Sequence, residues 1–132
     1  MLNKALVLIA EDESFIALDL ALAIEDAGGT VVGPAATVEE ALALIDARTV
    51  AAAILDVNLG ARDISPVAEI LLNLKIPVIL QTGVEVPPAL AARFPDLIVH
   101  IKPCVAATLV AQLETLIASG PSAVPPDDGG AA

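Results

Sequence analysis

Residues 51–56, Ala51-Ala52-Ala53-Ile54-Leu55-Asp56, form an unbroken apolar run that ends on an aspartate. A strand that is apolar at every position, rather than at alternate ones, is covered on both faces, as the central strands of parallel sheets are. The aspartate at its carboxyl end is then the first residue to leave the core. Working outward, a short apolar run followed by a segment of helical period occurs five times. Ala5 to Ala10 reads as a strand, and Ser14 to Ala27 as a helix closed by Gly28-Gly29. Thr30 to Gly33 is a shorter strand. Thr37-Val38-Glu39-Glu40 opens a helix with Thr at the cap and Glu three residues on.

Beyond Asp56 the pattern continues. Ser65-Pro66 starts a helix, with Ser as cap and Pro at the first helical position. Ile76 to Thr82 is the fourth strand, with Pro77 at its beginning, where a missing donor matters least. Pro87-Pro88 opens a short helix reaching about Phe94, Leu97 to Ile101 is the fifth strand, and Val105 to Ala118 is the last helix. Alternating patterns of this size predict an α/β fold, a doubly wound five-stranded parallel sheet of flavodoxin-like order 2-1-3-4-5. Residues 1–119 make one domain, and 120–132, built of Pro, Gly, Asp and Ala without period, are expected to be a disordered tail.

Composition excludes several classes of function. Formal net charge is −11 and the sequence pI is near 4.1. Such a chain is repelled by phosphate backbones and anionic lipid, so a cation or a basic protein surface is the expected partner, not nucleic acid. One cysteine, Cys104, forms no internal disulfide. The apolar run before Glu11 is too short for a membrane span and lacks a small-residue cleavage site, so a cytoplasmic, membrane-free protein is expected. Two phenylalanines and no tyrosine or tryptophan leave Ala, Leu, Val and Ile to fill the interior.

In open parallel sheets, ligands bind beyond the carboxyl ends of the strands, where the winding reverses. Here that is the crevice between the first and third strands, whose ends carry Glu11, Asp12 and Asp56. Three clustered carboxylates repel one another unless one takes up a proton or a cation enters. Oxygen ligands from two or three acids, with water completing the shell, suit Mg2+. A single acid at a strand end usually caps the next helix, and Asp12 is placed to do so; three acids on two adjacent ends make a site. Thr82 ends the fourth strand beside Gly83, and Lys102 ends the fifth beside Pro103. Lysine beside carboxylates can be a plain structural ion pair. Joined by a hydroxyl and a metal, it forms a cage for a phosphoryl group, within which a carboxylate can act as nucleophile.

These residues carry a resemblance. From about Lys4 to Ser119 the chain resembles the receiver domain of two-component response regulators, through Glu11-Asp12, Asp56-Val57-Asn58, Thr82-Gly83 and Lys102-Pro103 in order on the strand ends. The resemblance implies a stand-alone receiver, not an enzyme acting on other molecules, in which Asp56 accepts a phosphoryl group from a sensor histidine kinase or histidine phosphotransfer protein. It further implies Mg2+ held by Glu11, Asp12, Asp56 and the main-chain carbonyl of Asn58, with Thr82 moving toward the phosphoryl group and Lys102 pairing with it. The Lys102-Pro103 bond is expected to be cis, as is usual in that family. Part of the chain also looks like stand-alone receivers named for a FAT-GUY motif, although Leu80-Gln81-Thr82-Gly83-Val84-Glu85 agrees with that motif only at Thr and Gly.

The family pattern fails in places. The strand-five aromatic whose rotation reports phosphorylation is replaced by Val99, and the residue after Lys-Pro, usually aromatic, is Cys104. Cys104 reads as a small buried filler and His100 as a structural or surface histidine, not a relay or metal ligand. Arg62 and Asp63, in the loop after Asp56, are given no role. Output must pass through protein contact with a target the sequence does not name, as adaptor or as phosphate shuttle; it does not choose between a monomer and a dimer. A receiver-like module that binds without phosphorylation is the alternative, favoured by Val99 and opposed by the complete pocket. A phosphatase of the haloacid dehalogenase type needs a second acid two residues after the nucleophile, where Asn58 stands. No glycine-rich phosphate loop supports nucleotide binding.

Overall fold

The computed structural model describes residues 1–60, 62–83 and 85–119. Strand β3 (Ala52–Asp56), buried at every residue, lies at the centre of the sheet. It pairs in parallel with β1 (Leu6–Ala10) on one side and β6 (Val78–Thr82) on the other. Outside these lie β2 (Thr30–Ala35) and β7 (Ile98–Ile101), giving the order β2-β1-β3-β6-β7. That is the expected 2-1-3-4-5 winding. The numbering is displaced because a second ladder, β4 (Asn58–Leu59) with β5 (Arg62–Asp63), closes the loop after Asp56 as a short antiparallel hairpin.

The alternation of the strands divides the core in two. Val7, Ile9, Ile54 and Ile79 face α1 (Ser14–Asp26) and α5 (Ala106–Ser119), meeting Leu20, Ile24, Leu109 and Leu113. Leu8, Ala10, Leu55 and Leu80 face the other layer: α2 (Val38–Ala47), α3 (Ser65–Asn73) and α4 (Pro88–Arg93). Each fully buried Leu or Ile contributes roughly 1.5–3 kcal/mol by leaving water. A continuous apolar strand is thus two alternating patterns superposed, one for each layer.

Local chemistry departs from expectation at three places. First, β2 runs through Pro34 to Ala35 instead of stopping at Gly33, with a cis Gly33-Pro34 bond and a register shift between Leu8 and Ala10. The strand tolerates proline because it lies at the sheet edge, where a missing donor breaks no ladder. Gly33 has φ +97°, and a Cβ there would sit 2.7 Å from the Ala35 nitrogen and 3.0 Å from the Ile9 oxygen. Both obstacles are backbone. Gly33→Ala is therefore expected to lower stability by about 1–3 kcal/mol, read as a shifted urea midpoint at unchanged slope.

Second, Ser65 is not a cap: it is the first residue of α3, preceded by Ile64, and the Asp63 carboxylate accepts its N–H at 2.8 Å. The side chain and backbone N–H of Ser65 hold the Asp63 carboxyl below its ordinary value of 3.8. A depressed carboxylate stabilises the fold above its unfolded pKa, and that contribution disappears as pH falls through the folded one. Asp63→Ala should thus cost no more than about 0.5 kcal/mol at neutral pH, since the carboxylate is exposed and screened by solvent, and progressively less below pH ~4, checked by urea unfolding across that range. Third, Val78 rather than Ile76 opens the fourth strand; Pro77 stands just outside it and accepts the Ala53 N–H through its carbonyl at 3.0 Å.

The α2 start is as expected, with Thr37 Oγ1 accepting the Glu40 N–H at 3.1 Å. Among the described residues no helix is long and apolar enough to cross a membrane. The tail expected from Gly120 lies outside the described residues.

Candidate functional site

Parallel pairing brings the strand ends into line. Asp56 stands opposite Gln81, and Thr82 opposite Ile101, so the residues that leave β3, β6 and β7 emerge on one edge of the sheet. Glu11 follows β1 on the same edge, tied down by its N–H to the Ala35 carbonyl at 2.9 Å. The Lys102 N–H donates to the Thr82 carbonyl at 2.8 Å, extending the β6–β7 pairing by one residue and aiming the lysine back across the edge. The next bond, Lys102-Pro103, is cis, as expected.

Glu11, Asp12 and Asp56 each offer a carboxylate oxygen within 4.8 Å of the other two. Glu11 and Asp56 are buried, at 2% and 6% exposure, whereas Asp12 is exposed. Lys102 Nζ lies 2.9 Å from Asp56 Oδ2, 3.0 Å from Glu11 Oε1 and 3.3 Å from Glu13 Oε1. Burial pushes the Glu11 carboxyl up to about 7, only partly offset by the Glu13 N–H and by Lys102. Burial works against the Lys102 ammonium too, but its hydrogen bonds to Asp56 and Glu11 outweigh this and hold its pKa above the ordinary lysine value. One ammonium thus faces three carboxylates, and the buried site keeps an excess of negative charge suited to a hard cation.

The remaining expected residues fall as follows. Asn58 is exposed at the start of β4, and its N–H approaches Asp56 Oδ1 at 3.4 Å. Thr82 is buried at the end of β6. The Asp12 carboxylate accepts the Gly60 N–H at 3.0 Å, so it tethers the loop after β3 rather than capping α1. Val99 packs into the layer of α2, α3 and α4, away from the carboxylates. His100 contacts Gln112 of α5, a structural pairing with no part in the acidic cluster. Cys104 is half-buried rather than fully buried, and burial pushes its thiol up. Arg62 pairs with Glu39 of α2.

Two residues join the site that the sequence reading passed over. Glu13 reaches Lys102, and Gln81, buried in β6, donates from Nε2 to Glu11 Oε1 at 2.9 Å. A signal for each existed: Glu13 extends a run of three acids, and Gln81 interrupts the apolar run of a central strand.

No family model and no curated protein matches this chain. Solved structures do. The response regulator PhyR from Brucella abortus superposes with a TM-score of 0.65 at 30% identity, over 83% of this chain and 47% of PhyR. The chain therefore spans about half of PhyR's length. A CheY-like response regulator receiver domain protein from Methanospirillum hungatei JF-1 gives a TM-score of 0.73 at 20% identity, over 87% of this chain and 94% of its own. The signal receiver domain of a signal transduction histidine kinase from Syntrophus aciditrophicus gives 0.72 at 22%, over 93% and 97%. The chain has the fold of response regulator receiver domains.

Proposed function

We propose that this chain is the phosphorylated switch of a two-component relay, with Asp56 as the phosphoacceptor. The observation that carries the reading is the placement of Asp56: it ends the central strand, with one oxygen 2.9 Å from Lys102 Nζ and two further carboxylates within metal-binding reach. A cation in this crevice would be Mg2+, and Glu11, Asp12, Asp56 and the main-chain carbonyl of Asn58 would hold it. When bound, it neutralises the charge of the transferring phosphoryl oxygens.

The protein's own part is positioning. An Asp56 oxygen attacks phosphorus; the bond from phosphorus to the donor's imidazole nitrogen breaks, and the electron pair stays on that nitrogen. Lys102 turns from Asp56 toward the new phosphoryl oxygens, and the Thr82 hydroxyl donates to one of them. Asp56 is held at the strand end beforehand, so the reorganisation falls on the side chains of Lys102 and Thr82. Output then passes to a protein partner through α4, β7 and α5. With Val99 stiff at χ1, no rotating ring carries the signal: either the loop after Thr82 shifts its backbone, or the switch is weak.

The test is intact-mass analysis after incubation with acetyl phosphate, with and without Mg2+, on wild type and Asp56→Asn. An adduct of one phosphoryl group that needs both Mg2+ and Asp56 is the expected result. A folded wild type that neither binds Mg2+ nor gains mass overturns it, and leaves a receiver fold used for binding alone.

A further inference from the structure

Gln81 is 1% exposed in the most buried part of the sheet, where an apolar side chain would fit the rest of β6. A carboxamide there has to find partners for both ends. It does so in one direction only: Nε2 donates to Glu11 Oε1 at 2.9 Å, and Oε1 accepts the Cys104 thiol at 3.5 Å. A carboxylate only accepts, so the Nε2 end faces Glu11, and the carbonyl end is left to take the thiol proton. The Glu13 N–H meanwhile holds Glu11 Oε2 at 3.1 Å. Both oxygens of the buried carboxylate are thereby pinned.

We infer that Gln81 is a positioning residue that orients Glu11 for cation binding, and that Cys104 fixes the amide in the orientation this requires. The inference rests on the proposed reading of the site and deepens it. It also gives Cys104 a purpose other than filling: it borders a cavity of about 360 Å³ between α1 and the start of α5, lined also by Ile16, Leu20, Pro103 and Ala106. Residues that orient a metal-binding carboxylate typically change affinity by about 10–100-fold when removed.

The experiment measures the Mg2+ dissociation constant of the unphosphorylated protein by calorimetry, and in parallel the acetyl phosphate reaction rate at saturating Mg2+. Gln81→Met keeps the shape and removes the amide; Cys104→Ala removes the thiol donor, and Cys104→Ser restores one. Expected are a Kd weakened about tenfold in Gln81→Met, a smaller weakening in Cys104→Ala, recovery in Cys104→Ser, and saturated rates within about twofold of wild type. A wild type that binds Mg2+ with Gln81→Met and Cys104→Ala binding equally well overturns this inference alone. A wild type that does not bind Mg2+ overturns the reading of the site, and this inference with it.

Discussion

Lys102→Ala is expected to lower the stability of the metal-free protein by about 3 kcal/mol, a large share of the total for a domain of this size. Lys102 is the common partner of Asp56, Glu11 and Glu13, and its side chain is only 17% exposed. Its removal leaves Glu11 and Asp56 facing each other in a buried site with no counter-charge. Proton uptake by Glu11, already raised to about 7, limits the loss, which is why the lower end of the range for a broken buried pair applies. Mg2+ should restore part of the stability, since a divalent cation replaces the missing charge. Urea unfolding in chelator and in Mg2+ measures both quantities. Equal stability of variant and wild type in chelator would show that the lysine is not the site's counter-charge.

Asp56→Asn should act in the opposite direction. It removes one of the carboxylates that face the single ammonium, and Asp56 is one of the groups that push Glu11 upward. The metal-free variant is expected to be more stable than wild type by about 1 kcal/mol, on the scale of one pKa unit of relieved repulsion. The gain from Mg2+ should shrink as well. On the proposed reading, Mg2+ at a hundred times its Kd would add about 2.7 kcal/mol to wild type, and the variant, without that ligand, would gain less at the same concentration. Thermal unfolding with and without Mg2+ gives both numbers. A destabilised Asp56→Asn protein in chelator would mean that the aspartate serves the fold and not a site. On the proposed reading the same substitution should also abolish the acetyl phosphate adduct, so one variant separates chemistry from stability.

Much of this architecture was legible in the residues. Ala51 to Asp56 declared a central strand because covering both faces removes polar positions, and the strand-end acids followed from the winding. What stayed hidden was decided by tertiary position. Pro34 reads locally as a strand end, and only its place on the sheet edge lets β2 continue past it. Ser65 next to Pro66 fits a helix start, but Ser65 already lies inside the first turn: its own N–H goes to Asp63, and the Val67 and Ala68 N–H groups go to the Ile64 carbonyl. The hairpin of Asn58–Leu59 with Arg62–Asp63 is two residues on each side, too short for any period to announce. Gln81 was visible as an anomaly, yet its partner Glu11 lies 70 positions away. No spacing rule connects them.

The bond from the Gly60 N–H to the Asp12 carboxylate has a dynamic consequence. It clasps the hairpin after β3 to the residues just before α1, through one oxygen of a carboxylate that belongs to the acidic cluster and leaves the other oxygen to a cation. On the proposed reading the Asn58 carbonyl would hold the same hairpin from its other end. Loading the site should therefore stiffen the rim together with the crevice. Amide hydrogen exchange at Gly60 would slow on adding Mg2+, by more than the slowing of global opening accounts for. The rim that a partner first meets is then firmer in the loaded than in the empty protein, before any phosphoryl group arrives.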